Sequence, residues 1–156
     1  MLNLYKYYDS PESLPLYDRL AHTMRVAAIH NSGSIKLRDL DKGDLEALMP
    51  IISRTPWLAN KYAREVLHGR WPEAEPIIMK VPNVAYSYVK TILAEDPEWP
   101  YPNGKWPDAE PYIMKNPFSA VLYAKHVLKH RWKEAEPVIK TDEYHWHDYI
   151  RYFEVD

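Results

Sequence analysis

A short motif occurs three times in this chain and constrains its fold more than any other feature. Its copies lie at residues 70–80, 105–115 and 131–139, and each contains Trp-x-(Glu/Asp)-Ala-Glu-Pro. The prolines that end the motif are 26 residues apart in the last two copies and 35 apart in the first two, which is one period plus nine residues. Self-similarity at a fixed period is the signature of a repeat architecture. The chain is therefore predicted to consist of 26-residue repeats, one of which carries an insertion of nine residues.

The segment before each Trp motif has the pattern of an amphipathic helix. In residues 57–67, apolar side chains recur at the i, i+3, i+4, i+7 and i+8 spacing that forms one face of an α-helix. The same phases are apolar from Ala85 to Leu93 and from Ala120 to Leu128. Each repeat is therefore predicted to begin with a helix of about three turns.

Prolines at fixed phases predict where the second helix of each repeat lies. Pro76, Pro111 and Pro137 end the Trp motif, and a proline inside a helix costs about 3 kcal/mol because its nitrogen cannot donate. The second helix is therefore predicted to be short, to be kinked, or to start at these prolines. The prolines at 56, 82 and 117 are expected to end one repeat and to begin the next.

Neither helix of such a repeat can bury its apolar face alone, so successive repeats must stack. We predict an all-α fold, a short-period, α-solenoid-like stack of helix-turn-helix repeats with a cap at each end. All 156 residues are expected to form a single domain. Its parts are an N-terminal capping segment at 1–43, helical repeats at 44–140 with a degenerate first copy around Pro50, and a C-terminal cap at 141–156.

The N-terminal segment carries weaker local signals. Residues 16–30 have the apolar spacing of an amphipathic helix, and the Asn-Ser-Gly-Ser sequence that follows ends it. Residues 35–40 alternate apolar and charged side chains, as a short strand or an extended link does. A further helix is expected over roughly residues 44–54.

Composition excludes several functional classes. The net charge of −2 gives no general attraction to nucleic acid or to anionic membranes. The absence of cysteine excludes disulfides, thiolate nucleophiles and cysteine metal sites. The sequence has no run of 18 apolar residues and no signal-peptide pattern. We therefore expect a soluble, cytoplasmic protein that makes no membrane contact.

The sequence motifs of catalysis and cofactor binding are not found. The chain has no glycine-rich phosphate loop and no nucleophile elbow, so we expect no enzymatic activity and no cofactor. His126 and His130 have the i, i+4 spacing that can bind zinc, but the glutamate of an HExxH motif is missing between them. Their phases match surface or turn positions of the other repeats, and no metal site is predicted.

Charged residues also recur at equal phases. The basic column consists of Arg64, Lys90, Lys125 and Arg151. Such a column can bind a nucleic-acid backbone, or it can pair with the acidic columns of the repeats, which is the interpretation preferred here. The acidic columns are Glu73, Asp108 and Glu134, and Glu75, Glu110 and Glu136.

Aromatic residues form two further columns. The tryptophans are Trp71, Trp106 and Trp132, and the tyrosines are Tyr62, Tyr88, Tyr123 and Tyr149. We interpret both columns as core between the repeats, with each tyrosine hydroxyl reaching the surface or a partner, and not as a platform for stacking bases.

The insertion places twelve residues between Leu93 and Trp106, where the other repeats have three. Insertions in a solenoid form loops on one face, which is often the binding face. Prolines at 97, 100 and 102 stiffen this segment, and large aromatic side chains dominate interface hot spots. Partner binding is therefore predicted for Trp99, Tyr101, Glu98 and Asn103. The alternative is that Trp99 folds back onto Trp106 or Pro107 and covers the core.

The motif Tyr-Ala-x-x-Val-Leu-x-x-Arg-Trp-x-Glu-Ala-Glu-Pro, found at 62–76 and 123–137, resembles repeats of proteins from tailed bacteriophages. The opening, with Leu-Tyr-Lys-Tyr-Tyr at 4–8 and Pro-Glu-Ser-Leu at 11–14, is similar to the start of such proteins. The resemblance is good over roughly residues 57–140 and loose elsewhere. It implies a small phage accessory protein that acts in the cytoplasm of an infected bacterium, and it supplies no catalytic residues.

The function expected from these features is protein–protein interaction, namely the binding and modulation of a host protein or an anti-phage defence protein. The alternative is binding of an RNA or DNA backbone along the basic column. The sequence does not identify the partner or the oligomeric state.

Overall fold

The computed structural model describes residues 36–154, and the regular structure in this part of the chain is entirely helical. The chain divides into two compact units, one ending at Ile51 and one beginning at Ile52. The helix predicted at 16–30 lies outside the described residues, and the capping role of 1–43 stays a prediction. In chain order the helices are α1 (Lys42–Ile52), α2 (Pro56–Tyr62), α3 (Glu75–Ile78), α4 (Pro82–Tyr88), α5 (Glu110–Ile113), α6 (Pro117–Tyr123), α7 (Glu136–Ile139) and α8 (Glu143–Tyr152).

The first unit contains a 3-10 turn and nearly all of α1. The turn covers Leu37–Asp39, so the short strand or extended link predicted over residues 35–40 is wrong for these three residues. Asp41 caps α1, since its carboxylate accepts a hydrogen bond from the Asp44 nitrogen at 2.8 Å. The helix begins slightly before the predicted position and contains Pro50 near its C-terminal end. The degenerate copy around Pro50 therefore has one continuous helix where the later repeats have a separate short one.

Three long helices open the repeats of the second unit, as predicted. After their α-helical residues, α2, α4 and α6 each continue through five π-helical residues, at Ala63–Leu67, Val89–Leu93 and Ala124–Leu128. Each helix starts at its proline, because the fixed φ of proline suits a first turn and the missing N–H is not needed there. Their starting points reproduce the 26-residue period and the nine-residue insertion.

Short helices follow the Trp motif in each repeat. Proline is the second residue of α3, α5 and α7, which have four residues each. A proline is tolerated at this position because the first turn of a helix has no use for its missing N–H. Of the predicted alternatives, the short helix is confirmed, and each one starts at the glutamate directly before its proline. The chain then turns into the next long helix, and the last of these is α8, whose cap Asp142 accepts a hydrogen bond from the His145 nitrogen at 3.0 Å.

The core of the second unit follows the repeat. The long helices pack side by side in sequence order, and the short helices pack against them. From the Trp motifs and short helices, the fully buried residues are Ala74, Ala109 and Ala135, and Ile78, Ile113 and Ile139. From the long helices, they include Ala59, Ala63, Ala85, Tyr88, Val89, Ala120, Tyr123, Ala124 and Tyr149. The predicted all-α repeat stack is therefore confirmed.

A buried tyrosine links each of the helices α4, α6 and α8 to the turn of the preceding repeat. The Tyr88 hydroxyl accepts a hydrogen bond from the Trp71 backbone nitrogen at 2.8 Å and donates one to Glu75 Oε1 at 3.0 Å. The equivalent groups are Tyr123 with Trp106 and Glu110, and Tyr149 with Trp132 and Glu136. We call these three groups the tyrosine links. They give each buried hydroxyl the partner that burial requires.

The ring of the same tyrosine packs against the tryptophan of its own repeat. The ring centroids of Tyr88 and Trp106 are 5.4 Å apart, and those of Tyr123 and Trp132 are 5.2 Å apart. A buried tyrosine thus touches two successive Trp motifs, one through its hydroxyl and one through its ring. The interpretation of both aromatic columns as core between the repeats is confirmed for these residues.

The acidic residues of the tyrosine links form ion pairs within their own turn. Glu75 accepts hydrogen bonds from Arg70 at 2.8 and 2.9 Å, and Glu136 accepts one from Arg131 at 2.8 Å. The predicted pairing with the basic column is therefore wrong for Glu75 and Glu136, whose partners are Arg70 and Arg131. The repeat period identifies residues at equivalent positions in successive repeats. The ion pairs instead form within one turn, between an arginine and the glutamate five positions after it.

Burial is the first cause that raises the pKa of Tyr88, Tyr123 and Tyr149, and the adjoining glutamate adds to it. Up to the ordinary tyrosine pKa of about 10, the folded and unfolded chains are both protonated and the stability is complete. Above that pH the unfolded chain releases these protons first, so stability should fall as pH rises. We expect phenolate absorbance from these residues to appear together with the loss of helical circular dichroism.

If every tyrosine ionised near pH 10 with the helices intact, the hydroxyl hydrogen bonds described above would be contradicted.

Candidate functional site

The insertion changes how the second long helix ends. In the first and third repeats, His68 and Lys129 adopt the left-handed conformation, with φ of 52° and 58°, and end the π segments. In the second repeat the corresponding residue, Ala94, stays in the right-handed helical region and the chain continues outward. Residues 94–105 form the segment that we call the insertion loop. Its start therefore replaces the tight helix end found in the neighbouring repeats.

The returning end of the insertion loop is clamped against the chain on both sides. Gly104 has a φ of +74°, and a Cβ placed on it would lie 2.7 Å from the Ala94 nitrogen and 2.9 Å from the Val89 oxygen. Only glycine fits this approach without displacing backbone atoms. The adjacent Asn103 donates a hydrogen bond from Nδ2 to the Val127 oxygen at 3.1 Å. The loop is thus tied to the second and the third repeat at once.

Trp99 is a packing residue of the insertion loop. Its indole nitrogen donates a hydrogen bond to the Lys105 oxygen at 2.8 Å, and its ring lies partly buried against the core. The Arg70 guanidinium lies 4.5 Å from the ring centroid, within the range of a cation–π contact. Trp99 therefore covers the core, as the alternative prediction expected. Its indole hydrogen bond goes to the Lys105 oxygen.

The outer part of the insertion loop is acidic and aromatic, and we call residues 95–101 the acidic tip. Glu95 and Glu98 are exposed, and the Asp96 carboxylate accepts a hydrogen bond from the Glu98 nitrogen at 2.9 Å. Tyr101 is 44% exposed, and its ring meets that of Trp99 edge-on at 5.9 Å. The acidic tip therefore presents three carboxylates and one tyrosine on a fixed backbone.

A groove of about 420 Å³ lies on the other side of the insertion loop. We call it the basic groove, and its lining residues are Lys90, Ala94, Asn103, Lys125, His126, Lys129 and Tyr152. Lys125 is 9% exposed, and its Nζ lies 2.7 Å from Asp148 Oδ2 and 4.7 Å from the Tyr152 ring centroid. Lys90 and Lys129 are exposed, and neither forms an ion pair with any other residue in 36–154. The groove thus holds two uncompensated positive charges.

The predicted basic column is divided by the structure. Lys90 and Lys125 meet in the basic groove, whereas Arg64 lies outside it and contacts Glu65 at 3.3 Å. Arg151 is exposed and does not line the groove. The basic groove therefore contains only two of the four residues of the basic column.

The two histidines considered for zinc have different surroundings. His126 is exposed, but the loss of some hydration around its ring is the first cause that lowers its pKa, followed by the charges of Lys90 and Lys125. His130 has its Nδ1 2.8 Å from the Arg131 oxygen. Residues 36–154 contain no group of three or more histidine, aspartate or glutamate side chains placed to hold a metal ion.

The sequence reasoning missed three residues of this region: Gly104, His126 as a groove residue, and Lys129. A signal for the first was present, because an Asn-Gly pair such as Asn103-Gly104 marks a tight turn. The other two become neighbours of Lys90 only through the packing of the second and third repeats.

Comparison of the chain with protein-family models, with curated proteins and with solved structures finds no match. None of the helices in residues 36–154 combines the length and apolarity needed to cross a bilayer. The candidate site is therefore interpreted from its own geometry.

Proposed function

We propose that this chain is a protein-binding module of stacked helical repeats, and that the acidic tip is its contact element. The observation that carries the proposal is a loop with a fixed backbone and exposed functional side chains. Gly104, Asn103 and Trp99 hold the loop, while Tyr101 and Glu98 remain open to solvent. A loop already fixed in one conformation loses little entropy on docking, which favours affinity.

The chemistry of the acidic tip defines the kind of partner surface. Three carboxylates at Glu95, Asp96 and Glu98 complement a positively charged surface, and such complementarity raises association rates. Tyr101 supplies the large amphipathic side chain that is enriched at hot spots. The resemblance to phage repeat proteins supports a partner in the bacterial cytoplasm, such as a host or defence protein.

Nucleic-acid backbone binding along the basic column is less well supported. Such binding needs a continuous basic track, and two members of the column are engaged with carboxylates, Arg64 with Glu65 and Lys125 with Asp148. The net charge of −2 also opposes general attraction to a polyanion. Protein binding is therefore the preferred function.

The test is to capture the partner from infected-cell lysate with the full chain and then to measure its Kd for Tyr101→Ala. We expect at least about tenfold weaker binding, as for a hot-spot tyrosine, with an unchanged melting temperature because the side chain is exposed. Glu98→Lys should slow association and reduce its dependence on salt. The matched control is Tyr144→Ala, which removes an even more exposed tyrosine at a distant helix start.

Trp99→Ala separates packing from contact in the same experiment. Because Trp99 covers the core, this variant should lose stability first, whereas Tyr101→Ala should lose only affinity. Full-strength capture by Tyr101→Ala, with Glu98→Lys also unaffected, would overturn the assignment of the acidic tip.

A further inference from the structure

We propose that the basic groove is a binding site for the phosphate group of a small phosphorylated molecule. This inference rests on the basic groove alone and does not depend on the function proposed for the acidic tip.

The insertion is what opens the groove. The 3-10 turn Pro102–Gly104 packs against the π segment of the second repeat and against that of the third. In the first and second repeats, which have no loop between them, the two π segments pack directly on each other. The turn therefore stands between the ends of two long helices and leaves a depression whose walls carry Lys90 from one side and Lys125 from the other. Its volume of about 420 Å³ is in the range of small-molecule sites.

The charge balance of the groove matches a phosphate monoester. Lys125 is compensated by Asp148, which lies beside it with a half-exposed side chain. Lys90 and Lys129 have no such carboxylate among the described residues, so two positive charges remain. A phosphate monoester carries about −1.5 to −2 charges at neutral pH and offers several strong acceptor oxygens. A carboxylate ligand would neutralise only one of the two lysines.

His126 supplies a direct reporter for this site. In the free protein, Lys90 and Lys125 add to the effect of this lost hydration and hold the pKa of His126 below its ordinary value. A bound dianion opposes these lysines and raises that pKa, so binding takes up protons. The readout is therefore the shift of the His126 pKa on binding and not the pH dependence of affinity, because the phosphate group itself takes up a proton at about pH 6. The other charged or titratable groups that line or adjoin the groove are Lys129, Asp148 and Tyr152.

The experiment titrates the full chain with inorganic phosphate, adenosine monophosphate, adenosine and a single-stranded oligonucleotide. The His126 ring signal is followed by NMR after its assignment with His126→Gln, and Kd values are measured by calorimetry. Phosphate and adenosine monophosphate should raise the pKa of His126, and adenosine should not. Lys90→Ala should weaken the binding of both phosphate probes at least about tenfold.

Lys133→Ala is the matched control, since Lys133 is an exposed lysine of the third repeat that does not line the groove. Equal losses in both lysine variants would show a general charge effect and overturn the site. An unmoved His126 signal with phosphate and adenosine monophosphate would overturn it as well. If only the oligonucleotide bound, the proposal of a small phosphorylated ligand would be wrong, and the groove would instead bind a nucleic-acid backbone.

Discussion

Replacing Tyr123 with alanine is expected to lower the free energy of unfolding by about 3–5 kcal/mol, the range for removing a large buried ring. The side chain is fully buried and takes part in two successive repeats. Its hydroxyl bonds Trp106 and Glu110, while its ring packs on Trp132. The substitution therefore leaves a cavity and removes the hydrogen bonds between two repeats. Urea denaturation followed by circular dichroism measures the loss.

Tyr123→Phe separates the hydroxyl from the ring in the same measurement. The Trp106 nitrogen loses its acceptor in a buried position, and an unsatisfied buried donor costs about 1–3 kcal/mol. Tyr144→Ala is the control and should change stability by less than about 0.5 kcal/mol, because its side chain is exposed. A phenylalanine variant as stable as the parent chain would contradict the stabilising role of the tyrosine links.

Gly104→Ala is expected to lower the free energy of unfolding by more than about 2 kcal/mol. The left-handed conformation alone costs a residue with a Cβ about 1–2 kcal/mol. The new methyl group would also meet the Ala94 nitrogen at 2.7 Å, and backbone atoms cannot move aside as a flexible side chain can. The loop must then move away from the π segment Val89–Leu93 that follows α4.

Gly69→Ala is the matched control in the first repeat, where the nearest atom to a new Cβ is the Leu67 oxygen at 3.9 Å. This variant should remain within about 0.5 kcal/mol of the parent chain. If Gly104→Ala behaved in the same way, the insertion loop would not be clamped as described, and a fixed backbone could not favour docking of the acidic tip.

The helical repeat could be predicted from the sequence because its signals are local. Pro76, Pro111 and Pro137 define the start of the short helices through the chemistry of one missing N–H. The apolar spacing likewise predicts the long helices, but it does not distinguish an α-helical turn from the π segments that end them.

The candidate site was less predictable because it depends on contacts between repeats. The exposed tip residues Tyr101 and Glu98 follow from the insertion itself, and their binding role stays a prediction. The position of Trp99 depends on whether the loop folds back, which its own sequence left open. The basic groove needs Lys90 and Lys129 to approach across two repeats and a loop, and no spacing along the chain encodes that approach.

The ring pairs between the tyrosine and tryptophan columns have a consequence for how this protein can change over evolutionary time. The Tyr88–Trp106 ring pair spans the insertion at 5.4 Å, against 5.0 Å for Tyr62–Trp71 and 5.2 Å for Tyr123–Trp132, which span none. The nine additional residues of the insertion therefore do not change how the tyrosine of one repeat packs on its tryptophan. The insertion loop can therefore vary in length and sequence without disturbing the packing of the repeats. New binding specificities can arise in this loop, while selection for folding acts on the buried residues of the helices.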